Sequence, residues 1–401
     1  MPNRPTRAAQ TALLLVAAAV AAVTAAVTAA GAVAGAVAGA AAPVAPAAPP
    51  PAAAAGPLRT RNVVLVTFDG VRIQELFGGM DEVIAANEKR SGIYDIERAR
   101  SLYDRPTADE RRAALFPYLW GALAPQGVVL GDKARGSHVT LRNPHAFSYP
   151  GYMEILTGRY QPEVTTNDFK RYPHTTFLEY ARRGLGLTSE DVAVFSSWEA
   201  HRYMAAKEEG AVFVNAGYER VPAALATERT AWINDYQMHQ MALWEVGRPD
   251  TPTFYLALEY LKAHRPRLLY IAFGETDDWA HARRYDRLLD ALHIYDDYLK
   301  ILWETLESMD GYRGRTTLVI TTDHGRGIRP KDWVEHDAGI KGSEDIWVAV
   351  IGPDTPDRGE VAPAATVYQA DVAATILRLL GLDPRAFDPA AGPPIAAAFG
   401  P

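Results

Sequence analysis

Three acidic residues follow apolar runs of the kind that form buried strands. These residues are Asp69, Asp277 and Asp323, which follow the runs at 62–68, 268–273 and 318–320. Burying a carboxylate in a core is costly, so packing does not explain acidic residues at these positions. In α/β folds, ligands bind at the carboxyl ends of parallel strands, and this explains them better. A helix N-cap remains an alternative role for each Asp taken alone.

Histidines accompany two of these three acidic residues. His324 directly follows the third, and His281 lies four residues after Asp277, so that one helical turn places both side chains on the same face. Asp278 is a second candidate for that carboxylate. His336 is the last histidine of the chain and could add a nitrogen ligand, or could be a solvated loop histidine. Three carboxylates with three imidazoles suit Zn²⁺ better than Mg²⁺ or Ca²⁺, which prefer oxygen ligands.

The segments that must position these residues alternate between strand-like and helix-like patterns. Further buried strands are predicted at 192–195 and 347–351, and helices near 284–309 and 368–380, the first of them with apolar residues every three or four positions. Such alternation predicts an α/β sandwich with a central, mostly parallel sheet. Residues 199–247 show no clear strand pattern, and the prediction for them is an inserted helical segment beside the site.

The start of the chain differs in composition from the rest of its 401 residues. A basic beginning is followed by an uncharged, Ala/Val-rich run at 11–42 and an Ala/Pro-rich stretch at 43–57. This order predicts a secretory signal with a flexible linker over 1–57, ahead of one folded domain at 58–401. The alternative is an uncleaved membrane anchor, since the run is long enough to span a bilayer. Both predictions place the domain outside the cytoplasm, secreted or periplasmic, with the membrane as a partner only if the segment stays uncleaved.

Charge and cysteine content exclude several classes of function. The net charge of -7 and the lack of a basic cluster argue against a nucleic-acid-binding surface. The sequence has no cysteine, which excludes disulfides, thiolate metal ligands, a cysteine nucleophile and a lipoprotein anchor. The hydrophobic content of 48% is sufficient for a sizeable core.

Four short motifs, taken together, resemble the alkaline phosphatase superfamily, on the branch of type I phosphodiesterases/nucleotide pyrophosphatases and related phosphatases. The motifs are Val66-Thr67-Phe68-Asp69-Gly70, Ser148-Tyr149-Pro150 with Leu156-Thr157-Gly158, Gly274-Glu275-Thr276-Asp277 with His281, and Thr322-Asp323-His324-Gly325. Each is short, but with His336 they cover residues 66–336 in the order that the family has them. The resemblance implies an alkaline phosphatase-like three-layer sandwich.

The resemblance also implies two divalent metal ions, with Zn²⁺ favoured, and a serine nucleophile. The implied ligand sets are Asp69, Asp323, His324 and Ser148 for one ion, and Asp277, His281 and His336 for the other. The nucleophile position falls on Ser148. Asn167 lies where phosphodiesterase relatives keep an asparagine that donates to a phosphate oxygen. The alternative for both residues is an ordinary role in a loop.

The sequence departs from the family pattern at two places. His336 comes only twelve residues after His324, which requires a compact loop between them. Tyr152 stands two residues after Pro150, where sulfatases that use formylglycine carry an arginine. The second departure argues against a sulfatase of that type.

These features predict an exported, metal-dependent phosphoric ester hydrolase that acts on a small-molecule phosphate ester. Asn167 favours diesters or nucleotides, and the choice between monoesters and diesters stays open. The alternatives are a phosphoryl transferase or mutase of the same superfamily and a non-catalytic phosphate- or metal-binding module. No implied ligand is missing, which counts against the module. Substrate identity is expected to depend on 199–247 and on Trp198, Trp232 and Trp244, each of which could be a core residue or a base-stacking residue.

Overall fold

The fold is built on a central sheet with helices on both faces. The structure is a computed structural model and describes residues 57–244 and 246–400. The strands are β1 (Asn62–Phe68), β2 (Gly127–Leu130), β3 (Val139–Thr140), β4 (Val192–Ser196), β5 (Phe213–Ala216), β6 (Leu268–Phe273), β7 (Thr316–Thr321), β8 (Val348–Ile351), β9 (Gly359–Glu360) and β10 (Val367–Tyr368). The helices are α1 (Ile73–Gly78), α2 (Glu82–Ala85), α3 (Glu88–Ser91), α4 (Ile96–Tyr103), α5 (Ala108–Leu115), α6 (Ser148–Thr157), α7 (Phe177–Gly184), α8 (His201–Met204), α9 (Glu228–His239), α10 (Asp250–His264), α11 (Glu275–His281), α12 (Tyr285–Ser308), α13 (Asp371–Leu379) and α14 (Pro384–Phe387).

The start of the chain lies outside this description. The predicted signal or anchor and most of the linker, residues 1–56, are not among the described residues. Within 57–244 and 246–400, no helix combines the length and the apolar character needed to cross a bilayer.

Eight strands form the main sheet in the order β5-β4-β6-β1-β7-β8-β2-β9. Every pair from β5 to β7 is parallel, whereas β8 runs antiparallel to both β7 and β2. The prediction of a mostly parallel central sheet is therefore confirmed. A second, two-stranded sheet pairs β10 with β3 in parallel.

Strand β1 lies near the middle of the sheet and contributes to two separate cores. Val64 and Val66 belong to the core that includes α10 and α12, because alternate side chains of a strand point to opposite faces. Val63 and Leu65 belong to the core on the other face, which α6, α7 and α13 complete. Full burial of one such apolar side chain contributes about 1.5–3 kcal/mol. The result is the predicted three-layer sandwich.

The segment predicted to be a helical insertion is only partly helical. Residues 199–247 contain α8 and α9, but also β5, which pairs in parallel with β4 and ends the main sheet. This strand has four residues, is half-buried at its start and carries the polar Asn215. So short and mixed a pattern does not stand out in a sequence, and through this strand the segment contributes to the main sheet.

Three strand ends meet at one edge of the sheet. Phe68 of β1 lies opposite Phe273 of β6, and Thr67 lies opposite Thr321 of β7. Since these strands are parallel and in register, the residues that follow them emerge side by side. This arrangement brings the acidic residues after β1, β6 and β7 to a common site.

Candidate metal centre

The inner cluster, defined as Asp69, Asp323 and His324, lies at the ends of β1 and β7 and is buried. The Nε2 atom of His324 lies 3.4 Å from Asp69 Oδ1 and 3.5 Å from Asp323 Oδ2. The Ser148 hydroxyl lies 3.5 Å from Asp69 Oδ1 and 3.3 Å from His324 Nε2. The structure thus places the predicted nucleophile and three predicted ligands around one small volume.

Hydrogen bonds determine which atoms of the inner cluster face that volume. Gly70 N–H donates to Asp323 Oδ1 at 3.0 Å, and the Tyr152 hydroxyl donates to Asp69 Oδ2 at 2.9 Å. The other oxygen of each carboxylate, Asp69 Oδ1 and Asp323 Oδ2, lies near His324 Nε2. His324 Nδ1 lies 2.9 Å from the carbonyl oxygen of the next residue, which can only accept, so Nδ1 carries the proton. The Nε2 lone pair then faces the cluster, as in metal-bound histidines.

The unshared oxygen Asp323 Oδ2 has no hydrogen-bond partner among the described residues, although it is buried. Burial, and then the charge of Asp69, raise the pKa of Asp323 well above its usual value. Burial also raises the pKa of Asp69 well above its usual value, and the charge of Asp277 adds to this effect. Buried carboxylates need a compensating cation, and a divalent ion would provide one. The residues present therefore fit a metal ion.

The outer cluster consists of Asp277, His281 and His336. His281 Nε2 lies 3.2 Å from Asp277 Oδ2 and 2.9 Å from His336 Nε2. His336 Nδ1 lies 3.2 Å from the Ala146 carbonyl oxygen, which leaves Nε2 as the atom available to a metal. Burial, and then the neighbouring His324, lower the pKa of His336 to about 2, so its imidazole is neutral. Two imidazoles and one carboxylate form a set that suits Zn²⁺.

The two clusters adjoin each other, and Asp277 rather than Asp278 lies between them. Asp277 Oδ1 is 3.8 Å from Nε2 of both His324 and His336. Asp278 lines the neighbouring cavity, where burial, and then Asp277, raise its pKa to about 9. Asp277 is not a helix N-cap, because α11 is preceded by Gly274. Of the two acidic candidates, Asp277 is the one that the structure brings to the histidines.

Two glycines allow the close approach of these elements. Gly70 has a φ of +62°, and a Cβ there would lie 2.7 Å from Asp277 Oδ1 and 3.2 Å from His324 Cε1. Gly151 lies in α6, where a Cβ would clash with the Asp323 carbonyl oxygen. This contact lets α6, which begins at Ser148, pack directly against the residues that follow β7.

Arg326 is a residue of this site that the sequence analysis did not single out. Its guanidinium bonds to the Asp277 carboxylate, and its Nη1 donates to the Val334 carbonyl oxygen at 2.6 Å. Arg326 is only 1% exposed. Burial acts to raise the pKa of Asp277, but Arg326 and then His281 outweigh it and hold that pKa well below its usual value. The only signal in the sequence was the position of Arg326 two residues after His324.

We expect Arg326→Gln to raise the affinity of the outer cluster for Zn²⁺ at least tenfold. A cation next to Asp277 repels a divalent ion, by several kcal/mol at about 5 Å and an effective dielectric constant of about 20. The hydrogen bonds lost on substitution contribute about 1–3 kcal/mol, which is less. Titration of the apo protein with zinc against a chromophoric chelator measures the effect. Arg329→Gln, which removes an exposed arginine paired with Asp332, is the matched control. A weaker outer site in Arg326→Gln would show that orientation of Asp277 outweighs repulsion.

Tyr152 has a role that its place in the motif did not reveal. Its buried hydroxyl donates a hydrogen bond to Asp69. Burial raises the pKa of Tyr152 well above its usual value, and the charge of Asp323 adds to this effect, so the hydroxyl remains a donor. Groups that orient a metal ligand typically contribute 10–100-fold to metal affinity. We therefore expect Tyr152→Phe to weaken zinc binding at the inner cluster by about 10–100-fold, with the fold retained. Competition with a chelator tests this, and Tyr149→Phe, in the same helix, is the control. Equal zinc affinity in both variants would remove the role assigned to Tyr152.

Both clusters lie against a cavity of about 430 Å³. Ser148 and Asn167 both line it, so the structure brings the two predicted catalytic residues together. Asn167 Oδ1 accepts from the Tyr149 backbone N–H at 3.0 Å, which leaves the amide NH₂ as the group free to donate. A larger cavity of about 790 Å³ includes none of the predicted site residues in its lining.

The three tryptophans expected near the substrate lie in different places. Trp198 lines the cavity, and Trp244 packs edge-on against Trp279 at 4.8 Å between ring centroids. Trp232 is exposed on α9 and does not line the cavity. Of the three, Trp198 is the residue that the structure places beside the candidate ligands.

Comparison by sequence gave no match, neither to a protein-family model nor to a curated protein. Comparison of structures gave many matches. The alkaline phosphatase PafA is 11% identical, with 87% of this chain and 100% of that chain covered, at a TM-score of 0.53. Murine ectonucleotide pyrophosphatase/phosphodiesterase 5 is 11% identical, with 84% of this chain and 97% of that chain covered, at a TM-score of 0.49. The lipoteichoic acid synthase LtaP from Listeria monocytogenes is 10% identical, with 81% of this chain and 72% of that chain covered, at a TM-score of 0.49. The likeness to PafA confirms the alkaline phosphatase fold expected from the motifs.

Proposed function

We propose that this chain, which has the alkaline phosphatase fold, is a metal-dependent hydrolase of phosphoric esters with Ser148 as its nucleophile. One observation carries the proposal. The Ser148 hydroxyl lies within 3.5 Å of a carboxylate and an imidazole of the inner cluster, and the outer cluster adjoins it. The two clusters would hold two divalent ions, with Zn²⁺ favoured because each set contains histidine.

Divalent ions bound at the two clusters would lower the pKa of the Ser148 hydroxyl and stabilise the charge that builds on the entering and leaving oxygens. The residues of the chain do the rest. Ser148 is the first residue of the ten-residue helix α6, where the helix dipole favours an anion. The Asn167 amide can donate to a non-bridging phosphate oxygen from the same cavity. Tyr152 holds Asp69, so that one carboxylate oxygen stays directed at Ser148.

The proposed reaction has two displacements at phosphorus. Ser148 Oγ forms a bond to phosphorus and the bond to the ester oxygen breaks, which releases the alcohol and leaves a phosphoserine. Water then displaces Ser148 from phosphorus, and the hydroxyl is restored. A monoester yields inorganic phosphate, and a diester yields a phosphate monoester. A transferase would differ only in the acceptor of the second displacement.

The proposal includes export of the protein, on the basis of the N-terminal composition. The folded domain then works in the secreted or periplasmic space on a small-molecule phosphate ester. A membrane is a partner only if residues 1–57 stay attached. Fractionation of cells that produce the full chain tests this part, and recovery in the cytoplasm alone would contradict it.

The test of the activity is metal analysis together with an ester panel on the full chain. We expect about two zinc ions per chain and turnover of 4-nitrophenyl phosphate or bis(4-nitrophenyl) phosphate. A chelator should remove turnover, and zinc should restore it. Turnover that is indifferent to chelation, or confined to 4-nitrophenyl sulfate, would overturn the proposal. Product analysis with an added alcohol separates hydrolysis from transfer to an acceptor other than water.

A further inference from the structure

Large apolar side chains are exposed in one short stretch next to the candidate site. The exposed fractions are 66% for Trp232, 46% for Tyr236, 48% for Met238, 80% for Met241, 44% for Leu243 and 49% for Val246. They are six of the eleven exposed large hydrophobic residues in the described part of the chain. Single exposed apolar residues are normal on a protein surface, but a cluster of them indicates a binding surface.

The end of this stretch forms a wall of the catalytic cavity. Val246 and Gly247 line the cavity together with Ser148. Just before them, Trp244 packs against Trp279 of α11, the helix that carries Asp277 and His281 of the outer cluster. We call Met241, Leu243 and Val246 the apolar rim. The rim therefore consists of one residue of the cavity wall, Val246, and two exposed apolar residues that shortly precede it in the chain.

Aromatic side chains also line the cavity. Phe169 is 37% exposed and lies edge-on to Trp198, with ring centroids 6.1 Å apart. It also stacks on Tyr203 at 5.8 Å. Phe169, Trp198 and Val246 line the same cavity as the polar clusters. A molecule bound there would meet polar groups and apolar side chains together.

Charge in the cavity disfavours a strongly anionic substituent. Apart from the ligand histidines, Arg248 is the only basic residue among the described residues that line it. Its guanidinium is buried and donates to Thr253 Oγ1 at 2.8 Å, to Gln237 Oε1 at 3.2 Å and to the Asn215 carbonyl oxygen at 3.3 Å. Among the described lining residues, no free cation would pair with further phosphate groups. An uncharged substituent fits the cavity better.

We propose that the site acts on amphiphilic phosphoric esters, in which the phosphoryl group carries a long alkyl or acyl-bearing chain. The inference rests on the proposed function and names its substrate class. The phosphoryl group lies at the two clusters, and the chain lies against Phe169 and the apolar rim. Each CH₂ group removed from water contributes roughly a fourfold gain in affinity.

The first test compares chain lengths on the full protein. The substrates are n-alkyl phosphates and n-alkyl 4-nitrophenyl phosphates with methyl, butyl and octyl chains, all kept below micelle-forming concentrations. We expect kcat/KM to rise at least tenfold from methyl to octyl in the series that is turned over. A flat profile would overturn the inference while leaving the proposed function standing.

The second test removes the rim. The triple variant Met241→Ser, Leu243→Ser and Val246→Ser should lower the octyl-to-methyl ratio of kcat/KM at least fivefold. Ile294→Ser, at an exposed apolar residue of α12, is the control and should keep the wild-type ratio. Zinc content and circular dichroism check that the triple variant is folded. An unchanged ratio in a folded triple variant would overturn the inference.

A binding measurement separates failure of the inference from failure of the proposed function. Octylphosphonate and methylphosphonate cannot be hydrolysed at a P–O–C bond, and calorimetry reports their binding without turnover. If no ester is hydrolysed, the proposed function fails. The apolar subsite is still supported if octylphosphonate binds more tightly than methylphosphonate and if the triple variant loses this difference. Equal binding of the two phosphonates would overturn it. A third outcome is a flat chain-length profile together with sedimentation of the wild type, but not of the triple variant, with phosphatidylcholine vesicles. That outcome would overturn the inference and assign the rim to a membrane surface.

Discussion

Ser148→Ala is expected to lower kcat by about 10⁴-fold or more while zinc still binds at the inner cluster. The substitution removes the one hydroxyl that lies 3.5 Å from Asp69 Oδ1 and 3.3 Å from His324 Nε2. The other serine that lines the cavity, Ser197, has its hydroxyl bonded to Asp250 and Thr253 rather than to either cluster. Asp69, Asp323 and His324 remain as ligands, so the metal content of the variant should stay close to that of the wild type.

The measurement is steady-state turnover of the better chromogenic ester, together with elemental analysis of the same samples. Ser101→Ala, at an exposed serine of α4 whose hydroxyl donates to a backbone carbonyl, is the matched control and should match the wild type. Incorporation of ³²P from a labelled ester into wild type but not into Ser148→Ala would identify the phosphoserine. Activity within tenfold of wild type in the zinc-loaded Ser148→Ala variant would exclude Ser148 as the nucleophile.

Asp323→Asn is expected to abolish tight zinc binding at the inner cluster and to lower turnover by about 10³-fold or more. Partners that merely orient a ligand contribute 10–100-fold to metal affinity, and loss of a charged ligand has a larger effect. Asp323 Oδ2 is a buried oxygen without a hydrogen-bond partner among the described residues, and a bound cation would compensate for its burial. Zinc content should fall from about two ions per chain to about one.

The same substitution should change stability in opposite directions with and without zinc. Burial, and then Asp69, raise the pKa of Asp323, so the folded protein binds this proton more tightly than the unfolded chain does. The stability that this carboxyl contributes to the apo protein is therefore fully present only below its unfolded pKa of about 3.9. It is lost as the pH rises towards the raised folded pKa.

At pH 8 the apo Asp323→Asn variant should consequently melt at a higher temperature than the apo wild type. With zinc added, the order should reverse, because only the wild type gains the binding free energy of the inner ion. Differential scanning calorimetry with chelator and with zinc measures both. A lower Tm of the variant in both conditions would mean that Asp323 stabilises the fold without any cation.

Much of the sheet could be predicted because the signals are local. The runs that became β1 and β6 are almost continuously apolar, and β7 combines Leu318, Val319 and Ile320 with β-branched threonines, as buried strands do. The short β5, with the polar Asn215 among its four residues, has no such run, and its place at the sheet edge depends on pairing with β4. Pairing joins segments that are distant in sequence, so a pattern within one segment does not reveal it.

The sequence by itself determined which residue types are candidate metal ligands and part of their grouping. Asp277 and His281 lie one helical turn apart, and the chain order of the motifs matched that of a known superfamily. The parallel sheet then requires that residues after adjacent strands emerge at the same edge. For these reasons Asp69 and Asp323 could be predicted from the sequence as ligands of one site.

Only the tertiary structure decided how the ligand atoms are held and what surrounds them. The hydroxyl of Tyr152 holds Asp69, Arg326 pairs with Asp277, and Val246 lines the cavity beside Ser148. Each of these contacts joins residues tens of positions apart in the chain. They depend on how α6, α11 and the segments that follow β1 and β7 pack around the carboxyl ends of the strands, and that packing is a property of the whole fold rather than of any segment.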